Sequence, residues 1–568
     1  MKQLNNDNAA NRTSYVGNVY NIGEKKFKDD ILNSLPNEWS RLHRDGYIHI
    51  HDLDAYGLTY NCLAFNLVNN FPMEQFKNIN SSSGRLIHLF ELIKELFTKM
   101  GNEQSGGMAF ANFDNEMADM INMLDVKITK GIKELFKSLI RELILWCNGN
   151  HTRMGQTSYY ITFNIGLAKN NIARFVCETL LIEFGNTNDL VFKPNIVFKV
   201  KSGINFEQET KNHYLLEKSL SVTAKKMIPT YILCDSKTNI NIDPEKLAIM
   251  GCRSRIVQDE FGIEGAVGRG NIANISINLP KVALEIDKKY RDKTIDFKIE
   301  HFNKLWDNIA NSTKNILLDR YEKLCKLKKE DFPTNLEIQL WCESFNTNNL
   351  EDVFKHGTLS IGFIGLGEAV EVLTGSKYYD NIESYMYAVG IVSHMRDYVD
   401  FLRNEYKMNF SLLATAGELI SGRFIDIDKE LYKPEVDIFS KGFYTNSFHI
   451  DVDSKLPGYK KIQMEGLFHE YCNGGCITYI ELGEAPLSNI EGLLEYLDIA
   501  TKAGTHYLGF NFPKDICNTC GTTGVFDICP KCKSSSITRI RRVSGYLEIL
   551  DGFTKGKKNE VKHRMKNS

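Results

Sequence analysis

Apolar residues recur at helical spacing in two long stretches of the chain. Between Arg85 and Phe97 the residues Leu86, Leu89, Phe90, Ile93, Leu96 and Phe97 fall on one face, and from Ile132 to Leu143 the pattern returns through Leu135, Phe136, Leu139 and Ile140. Each predicts an amphipathic helix with its apolar stripe against a core. Shorter runs rich in β-branched and aromatic residues predict strands at Asn195–Val200, Thr230–Asp235, Phe448–Asp453, Cys476–Leu482 and His506–Pro513. Strand-like runs alternating with helical stretches are the order expected of parallel strands with helices packed outside. Residues 359–375, LSIGFIGLGEAVEVLTG, read as a loop of small residues opening a helix. The N–H groups of such a helix start either hold a phosphate or serve tight packing. Residues 1–35 are Asn-rich and polar and predict an arm, not a domain.

At 568 residues, the length corresponds to about four average domains or to one large α/β barrel with small appendages. Lys and Arg number 69 against 71 Asp and Glu, a balance that argues against a coat for nucleic acid. A polyanionic ligand has to be met by a local basic patch or by helix N-termini, which suits free nucleotides better than a polymer. The 13 cysteines are an odd number, the start MKQLNNDNAA has no apolar signal core, and no uninterrupted apolar run approaches membrane-spanning length. The expectation is a reducing, cytoplasmic setting without structural disulfides or a membrane. The Lys-rich end GKKNEVKH reads as a solvated tail.

Candidate chemistry concentrates towards the C-terminus. Cys517 and Cys520 form one C-x-x-C, Cys529 and Cys532 a second, with Gly521, Gly524 and Pro530 permitting the turns. Two such knuckles aim four thiolates at one cation, and with no His between them a closed structural Zn²⁺ site is favoured over a catalytic one. An Fe–S cluster and four unligated thiols are the alternatives. Next, RRVSGYL (541–547) predicts a short strand with Val543, Gly545 and Leu547 on one face. Glycine weakens a strand, so Gly545 marks a bulge or a close contact, or a use for the glycine itself. Removing its Cα hydrogen leaves a planar radical delocalised over the adjoining amides, with no side chain to obstruct it.

Upstream, residues 249–280 place Cys252 behind Gly251 and ahead of a Gly-rich run, predicting a loop tip where a sulfur is reachable from two sides. Cys62, in TYNCLAFNL, stands in an apolar segment and packs by default as a small hydrophobe. His49, His51, Asp52 and Asp54 alternate as strand-borne metal ligands would, but read better as the lead into a first core strand. Cys472 and Cys476 read as structural.

These motifs carry a resemblance. RVSGY near the C-terminus resembles the loop of glycyl radical enzymes, and with the four-cysteine site just upstream the chain resembles the anaerobic, class III ribonucleoside-triphosphate reductases. MGCRS with GRGN and INLP resembles their finger loop, NAANRTSYVGN and His43–Asp54 their entry into the catalytic domain, and EQSGGMAFANFD their EQxGGQA stretch, with Met108 in place of Gln. T-x-GFIGLxE, GGCITYIELGE and HYLGFNFP match as well, so the resemblance runs from about Asn8 to the end.

The resemblance implies a ten-stranded α/β barrel in two antiparallel halves, with a central finger loop and a C-terminal zinc module. The implied division is an arm at 1–35, a catalytic barrel at 36–513 with the finger loop near 249–280, a zinc-binding four-cysteine module at 514–540, and a radical loop and tail at 541–568. An N-terminal ATP cone is expected to be absent. The implied roles are the stored radical on Gly545, the thiyl on Cys252, a second active-site cysteine at Cys62, a methionine partner at Met250, and a substrate asparagine at Asn271, with Asn278 as the competing position. A separate radical-SAM activase carrying a [4Fe–4S] cluster is implied for making the radical, with formate as reductant, (d)NTP effectors and a homodimer. Two rival classes remain. Formate-lyase or dehydratase relatives share RVSGY but lack the double C-x-x-C, and a zinc-ribbon nucleic-acid binder leaves about 500 residues idle and needs a basic balance.

Overall fold

The computed structural model describes residues 15–66, 68–149, 159–251 and 253–567. Ten strands build its central sheet: β1 (Cys62–Phe65), β2 (Met108–Phe110), β3 (Ile161–Ile165), β4 (Asn195–Val200), β5 (Thr230–Leu233), β6 (Arg269–Asn278), β7 (Thr358–Ile364), β8 (Asn409–Ala414), β9 (Thr478–Glu481) and β10 (Tyr507–Asn511). In β1, β2, β3, β5, β7 and β8 every residue is buried. That is the condition of a parallel sheet covered on both faces, and it is why these runs read as continuous and not alternating.

Pairing follows the order β8-β7-β6-β1-β2-β3-β4-β5-β10-β9. Strands β1 to β5 run parallel to one another, and β6, β7 and β8 run parallel in a second set. The two sets meet antiparallel at β1/β6 and at β5/β10. A parallel bridge between Leu413 and Gly475, at the approach to β9, joins β8 back to the other end and closes the barrel. The segment Ile48–Ile50 adds to the outside of β6 in antiparallel register, so the His49–His51 stretch is a flanking strand. The helices predicted from periodicity form as α1 (Ser82–Met100) and α2 (Lys130–Asn148), each started by a hydroxyl cap, Ser81 and Thr129.

The connection from β5 to β6 turns into the barrel, and polar side chains of the wall hold it there. Asn164 on β3 donates from Nδ2 to the Ile249 carbonyl (3.2 Å) while its Oδ1 accepts the Ile249 N–H (3.0 Å). Asn112 donates to the Glu245 carbonyl (2.8 Å), and Lys199 donates to Asn112 Oδ1 (2.7 Å) and to the Pro244 carbonyl (3.0 Å). Burial drives the Lys199 ammonium down to about 8 and the nearby Asp114 carboxyl up to about 6. A two-rung ladder, Ile249–Met250 against Ser254–Arg255, makes the tip a small hairpin.

Three local expectations are corrected. Residues 359–364 are strand, not loop, because the barrel wall recruits them, and α3 (Leu366–Thr374) starts only after Gly365 at φ +76°. The Gly365 N–H donates to the Thr445 carbonyl and the Leu366 N–H to the Ser447 carbonyl. The first two N–H groups of that helix start are thus used in packing against the 445–447 segment. Phe448–Asp453 forms no strand: it is a buried loop whose backbone is bonded by side chains, Tyr378 Oη to the Phe448 carbonyl (2.6 Å) and the Ile450 N–H to Glu465 Oε1 (3.0 Å). The Lys-rich tail is a docked helix. In α5 (Lys555–His563), whose seat is α4 (Leu419–Leu431), Gly556 meets the backbone of Gly422 and buried Lys557 pairs with buried Glu560.

After β10 the chain builds a separate four-stranded antiparallel sheet from β11 (Lys514–Cys517), β12 (Thr523–Gly524), β13 (Ile537–Arg542) and β14 (Leu547–Ile549), in the order β12-β11-β13-β14. Cys517 ends β11, and Cys520, Cys529 and Cys532 follow before β13. Gly545 is not within a strand, as RRVSGYL suggested, but at the tip of the β13–β14 hairpin. Arg542 pairs with Leu547, and the Val543 N–H donates to the Tyr546 carbonyl (3.0 Å), leaving Ser544 and Gly545 as the two turn residues.

Candidate active site

That hairpin tip is buried, which is unusual for a two-residue turn, and the contacts around it explain the burial. Glu418, at the start of α4, accepts from Ser544 Oγ on one carboxylate oxygen (3.1 Å) and from Tyr546 Oη on the other (2.6 Å). The two residues flanking Gly545 are thereby pinned to one buried carboxylate. Thr554 adds a bond to the Glu418 carbonyl (3.0 Å), Tyr479 Oη donates to the Ser544 carbonyl (2.5 Å), and the Tyr546 ring packs edge-on against Tyr160.

Tyr546 and Glu418 line a cavity of about 130 Å³ inside the barrel, and Cys62, Met250, Gly251 and Asn274 line the same space. Cys62 opens β1. Its Sγ donates to Asn61 Oδ1 (2.8 Å) and accepts the Gly107 N–H (3.1 Å), so it is a buried thiol oriented by its neighbours. Gly107 is needed for another reason: a Cβ there would lie 2.7 Å from the Cα and N of Gly251. The Gly106–Gly107 pair is what lets the finger tip come against the wall beside Cys62. Cys252 falls outside the described residues. Its chain neighbours Gly251 and Arg253 both line the cavity.

The candidate asparagines separate. Asn278 caps the helix at Leu279–Tyr290, with its Oδ1 accepting the Lys281 N–H and its Nδ2 donating to the Gly46 carbonyl and Asp428; its side-chain amide is fully engaged in structure. Asn271 pairs across the sheet with Cys62. It donates to Thr358 Oγ1 and Ser360 Oγ (both 2.9 Å), and its Oδ1 has no partner among the described residues. A bulge between Thr358 and Leu359 sets Asn271 opposite Thr358 and Asn274 opposite Ser360, hence on one inward face. Asn274, not Asn271 or Asn278, reaches the cavity. Reading the sequence missed Asn274 and Glu418. The first lies between the GRGN and INLP motifs, but nothing in a linear pattern reveals a bulge.

Among the described residues, two cysteine-bearing groups satisfy a metal's reach on distance. The thiols of Cys517, Cys520, Cys529 and Cys532 all lie within 4.8 Å of one another, with Cys517–Cys532 at 3.4 Å and Cys520–Cys529 at 3.5 Å. Four sulfurs at about 2.3 Å from a central Zn²⁺ would sit about 3.8 Å apart, so this set fits zinc. The buried group of His469, Cys476 and His506 does not. His469 Nδ1 accepts the His506 N–H and its Nε2 is bonded to Thr478 Oγ1, which leaves that ring no nitrogen for an ion. No helix among the described residues is long and apolar enough to cross a membrane.

Comparison with known proteins supplies the family context. The family model described as anaerobic ribonucleoside-triphosphate reductase matches residues 7–566. The chain is 29% identical to the anaerobic ribonucleoside-triphosphate reductase of Escherichia coli over 94% of its own length and 78% of that protein, and 27% identical to that of Enterobacteria phage T4 over 94% and 92%. Among solved structures, an anaerobic ribonucleotide reductase superposes with a TM-score of 0.74 at 15% identity, covering 97% of this chain and 90% of the other. The Thermotoga maritima enzyme in complex with dATP and CTP gives 0.72 at 14%, over 96% and 92%. A B12-independent glycerol dehydratase from Clostridium butyricum gives 0.59 at 11%, over 95% and 83%. At these identities the structures speak for the fold, which is that of the glycyl radical enzymes.

Proposed function

Because this chain belongs to the anaerobic ribonucleoside-triphosphate reductase family, we propose that it reduces ribonucleoside triphosphates to 2′-deoxyribonucleoside triphosphates through a radical stored on Gly545 and used by Cys252. The observation that carries this reading is the convergence on one cavity of the Gly545 hairpin, through Tyr546, with Cys62, Met250 and Gly251. A carbon radical on a buried turn, with its flanking side chains bonded to Glu418, is shielded from solvent. S–H and C–H bonds are close enough in strength for hydrogen to pass either way.

In this reading a separate radical-SAM activase removes the Gly545 hydrogen, and Gly545 regains one from Cys252 as the thiyl forms. Cys252 takes the ribose 3′ hydrogen, the 2′ hydroxyl leaves as water, and Cys252 finally returns the 3′ hydrogen. Asn271 and Asn274 supply amides on the face where the ribose would lie. Cys62 donates a hydrogen to the substrate radical and pairs transiently with Cys252, Met250 shares sulfur lone-pair density with a neighbouring sulfur radical, and formate supplies the two electrons, leaving as CO₂. The four-cysteine set would hold a structural Zn²⁺, which fixes the base of the β13–β14 hairpin and does no chemistry. Effector nucleotides, a homodimer and formate dependence belong to the same proposal.

Anaerobic EPR after treatment with an activase and S-adenosylmethionine tests it. The expected result is a glycyl doublet in the wild type, absent in Gly545→Ala, and retained without deoxynucleotide formation in Cys62→Ala. A doublet persisting in Gly545→Ala would refute the radical assignment, and multiple turnovers with thioredoxin in the absence of formate would refute the reductant.

A further inference from the structure

The Cys62 thiol is held through its neighbour in the chain. The backbone of Asn61 is fixed on both sides, its N–H donating to the Asn271 carbonyl (2.8 Å) and its carbonyl accepting the Gly106 N–H (2.7 Å), so only the side-chain amide is left to turn. That amide lies between two unlike partners. Its Nδ2 donates to Asp52 Oδ2 (2.7 Å) and more weakly to Ser105 Oγ (3.3 Å), while its Oδ1 accepts from Cys62 Sγ (2.8 Å). Gly106 leaves room for this, since a Cβ there would lie 2.8 Å from both Asn61 Oδ1 and Cys62 Sγ. Asp52 reaches the amide from a left-handed backbone, φ 50° and ψ 50°, which glycine adopts freely and Asp and Asn more readily than other residues.

The direction in which the amide faces decides which form of the sulfur is favoured. A carboxylate only accepts hydrogen bonds, so Asp52 faces Nδ2, and the amide carbonyl is left for the sulfur. A carbonyl accepts from S–H but repels a thiolate, and a bond made only by the neutral form favours that form. The Gly107 N–H on the same sulfur (3.1 Å) pulls the other way. Without the carboxylate, the Ser105 hydroxyl, which donates to Asp52 Oδ2 (3.4 Å), is free to donate to Asn61 Oδ1 instead. The turned amide then presents N–H to the sulfur and favours the thiolate. The other charged and titratable groups that line the cavity, among the described residues, are His51 before β1, Arg253 on the finger, Tyr160 before β3, Glu418 at the start of α4 and Tyr546 on the hairpin.

We propose that Asp52 is a positioning residue for Cys62: by orienting the Asn61 amide it keeps the Cys62 sulfur protonated. That protonation state stands on the geometry alone. Its use rests on the reading of Cys62 as a hydrogen donor, in which the S–H bond breaks, a C–H bond forms on the substrate radical and the sulfur keeps the unpaired electron. A thiolate has no hydrogen to give.

The test is an infrared titration of the whole chain, with neither activase nor nucleotide present, so that it does not depend on turnover. The S–H stretching band of Cys62 is isolated as the difference between each protein and the same protein carrying Cys62→Ala, and its area is followed against pH. Asp52→Gly suits the left-handed backbone and removes the acceptor. Asp52→Asn removes the same charge but keeps an acceptor oxygen for the Asn61 Nδ2, and the field of the other lining groups is common to both variants. The ionisation constant of Cys62 should rise at least about tenfold in Asp52→Gly and stay within about threefold of the wild type in Asp52→Asn. An equal rise in both means that Asp52 acts by its charge alone, and no rise in Asp52→Gly means that it does not act on Cys62; either result overturns the proposal. Asn61→Ala, which deletes the amide and leaves Asp52 in place, should also raise the constant, and an unchanged titration there overturns the proposal independently. Undiminished deoxynucleotide formation in an Asp52→Gly protein whose titration has moved as expected refutes the hydrogen-donor reading and leaves the positioning role standing.

Discussion

Removing the Glu418 carboxylate should release the buried hairpin tip while leaving the barrel and the four-cysteine module folded. The carboxylate is 5% exposed and accepts two hydrogen bonds, from Ser544 Oγ at 3.1 Å and Tyr546 Oη at 2.6 Å. Hydrogen bonds to a charged group contribute about 1.5–3 kcal/mol each, so Glu418→Ala should weaken the closed hairpin by about 3–6 kcal/mol. Glu418→Gln keeps one acceptor and loses the charge, and should cost about half as much. Local opening is read by native-state hydrogen exchange, with each 1.4 kcal/mol equal to about a factor of ten. The Val543 amide, bonded to the Tyr546 carbonyl, should therefore exchange about 10²–10⁴-fold faster in Glu418→Ala. Amides of β2 to β4 should not change. Unaltered protection at Val543 in the alanine variant would refute the argument that this one carboxylate seats the turn.

Four further outcomes are expected. Cys529→Ser should lose its metal by elemental analysis and loosen residues 517–545, because thiolate–zinc binding contributes on the order of 10–16 kcal/mol to local folding; iron in place of zinc in the wild type would defeat the assignment. Gly107→Ala, whose new methyl would meet the Gly251 backbone at 2.7 Å, should displace the finger tip and reduce deoxynucleotide formation at least tenfold with little change in melting temperature, checked by turnover assay and calorimetry. Asn274→Ala should lower kcat by about 10²–10³-fold if its amide bonds the ribose more strongly in the transition state, whereas Asn278→Ala should mainly lower the melting temperature by removing a cap. Glu560 and Glu465 give an acid-lability window. Although burial raises both, Lys557 and Arg564 hold Glu560, and Lys461 and His449 hold Glu465, at about 2. A depressed carboxyl contributes stability that is present above its ordinary value and lost as pH falls through the folded one. Circular dichroism should show loss of up to about 3 kcal/mol per group between about pH 4.5 and 2, and Glu560→Gln should flatten its share.

By itself the sequence determined whatever depends on neighbours along the chain. Helical spacing of apolar residues located α1 and α2 because a 3.6-residue repeat is a local property, and the double C-x-x-C foretold a four-thiolate cluster because each knuckle is built within four residues. Alternation of strand-like and helical runs gave the α/β class, and the motifs around Cys62, Cys252 and Gly545 gave the family. Tertiary structure decided the rest. Apolar character in 448–453 reports burial, and burial is shared by strands and by loops whose backbones are bonded from elsewhere, so a strand and a buried loop read alike. The Gly- and Ser-containing run 359–364 became a wall strand because both faces of a closed barrel are covered. Lys557 looks solvated in sequence, but the Gly556–Gly422 approach buries it, and its bonds to the Glu560 carboxylate and the Asn446 amide oxygen offset the cost. Asn271 and Asn274 share a face because of a bulge whose register is set by the partner strand β7. The turn at Gly545 is held by Glu418, more than a hundred residues earlier, and contacts of that separation exist only after the barrel has brought α4 and the C-terminal hairpin together.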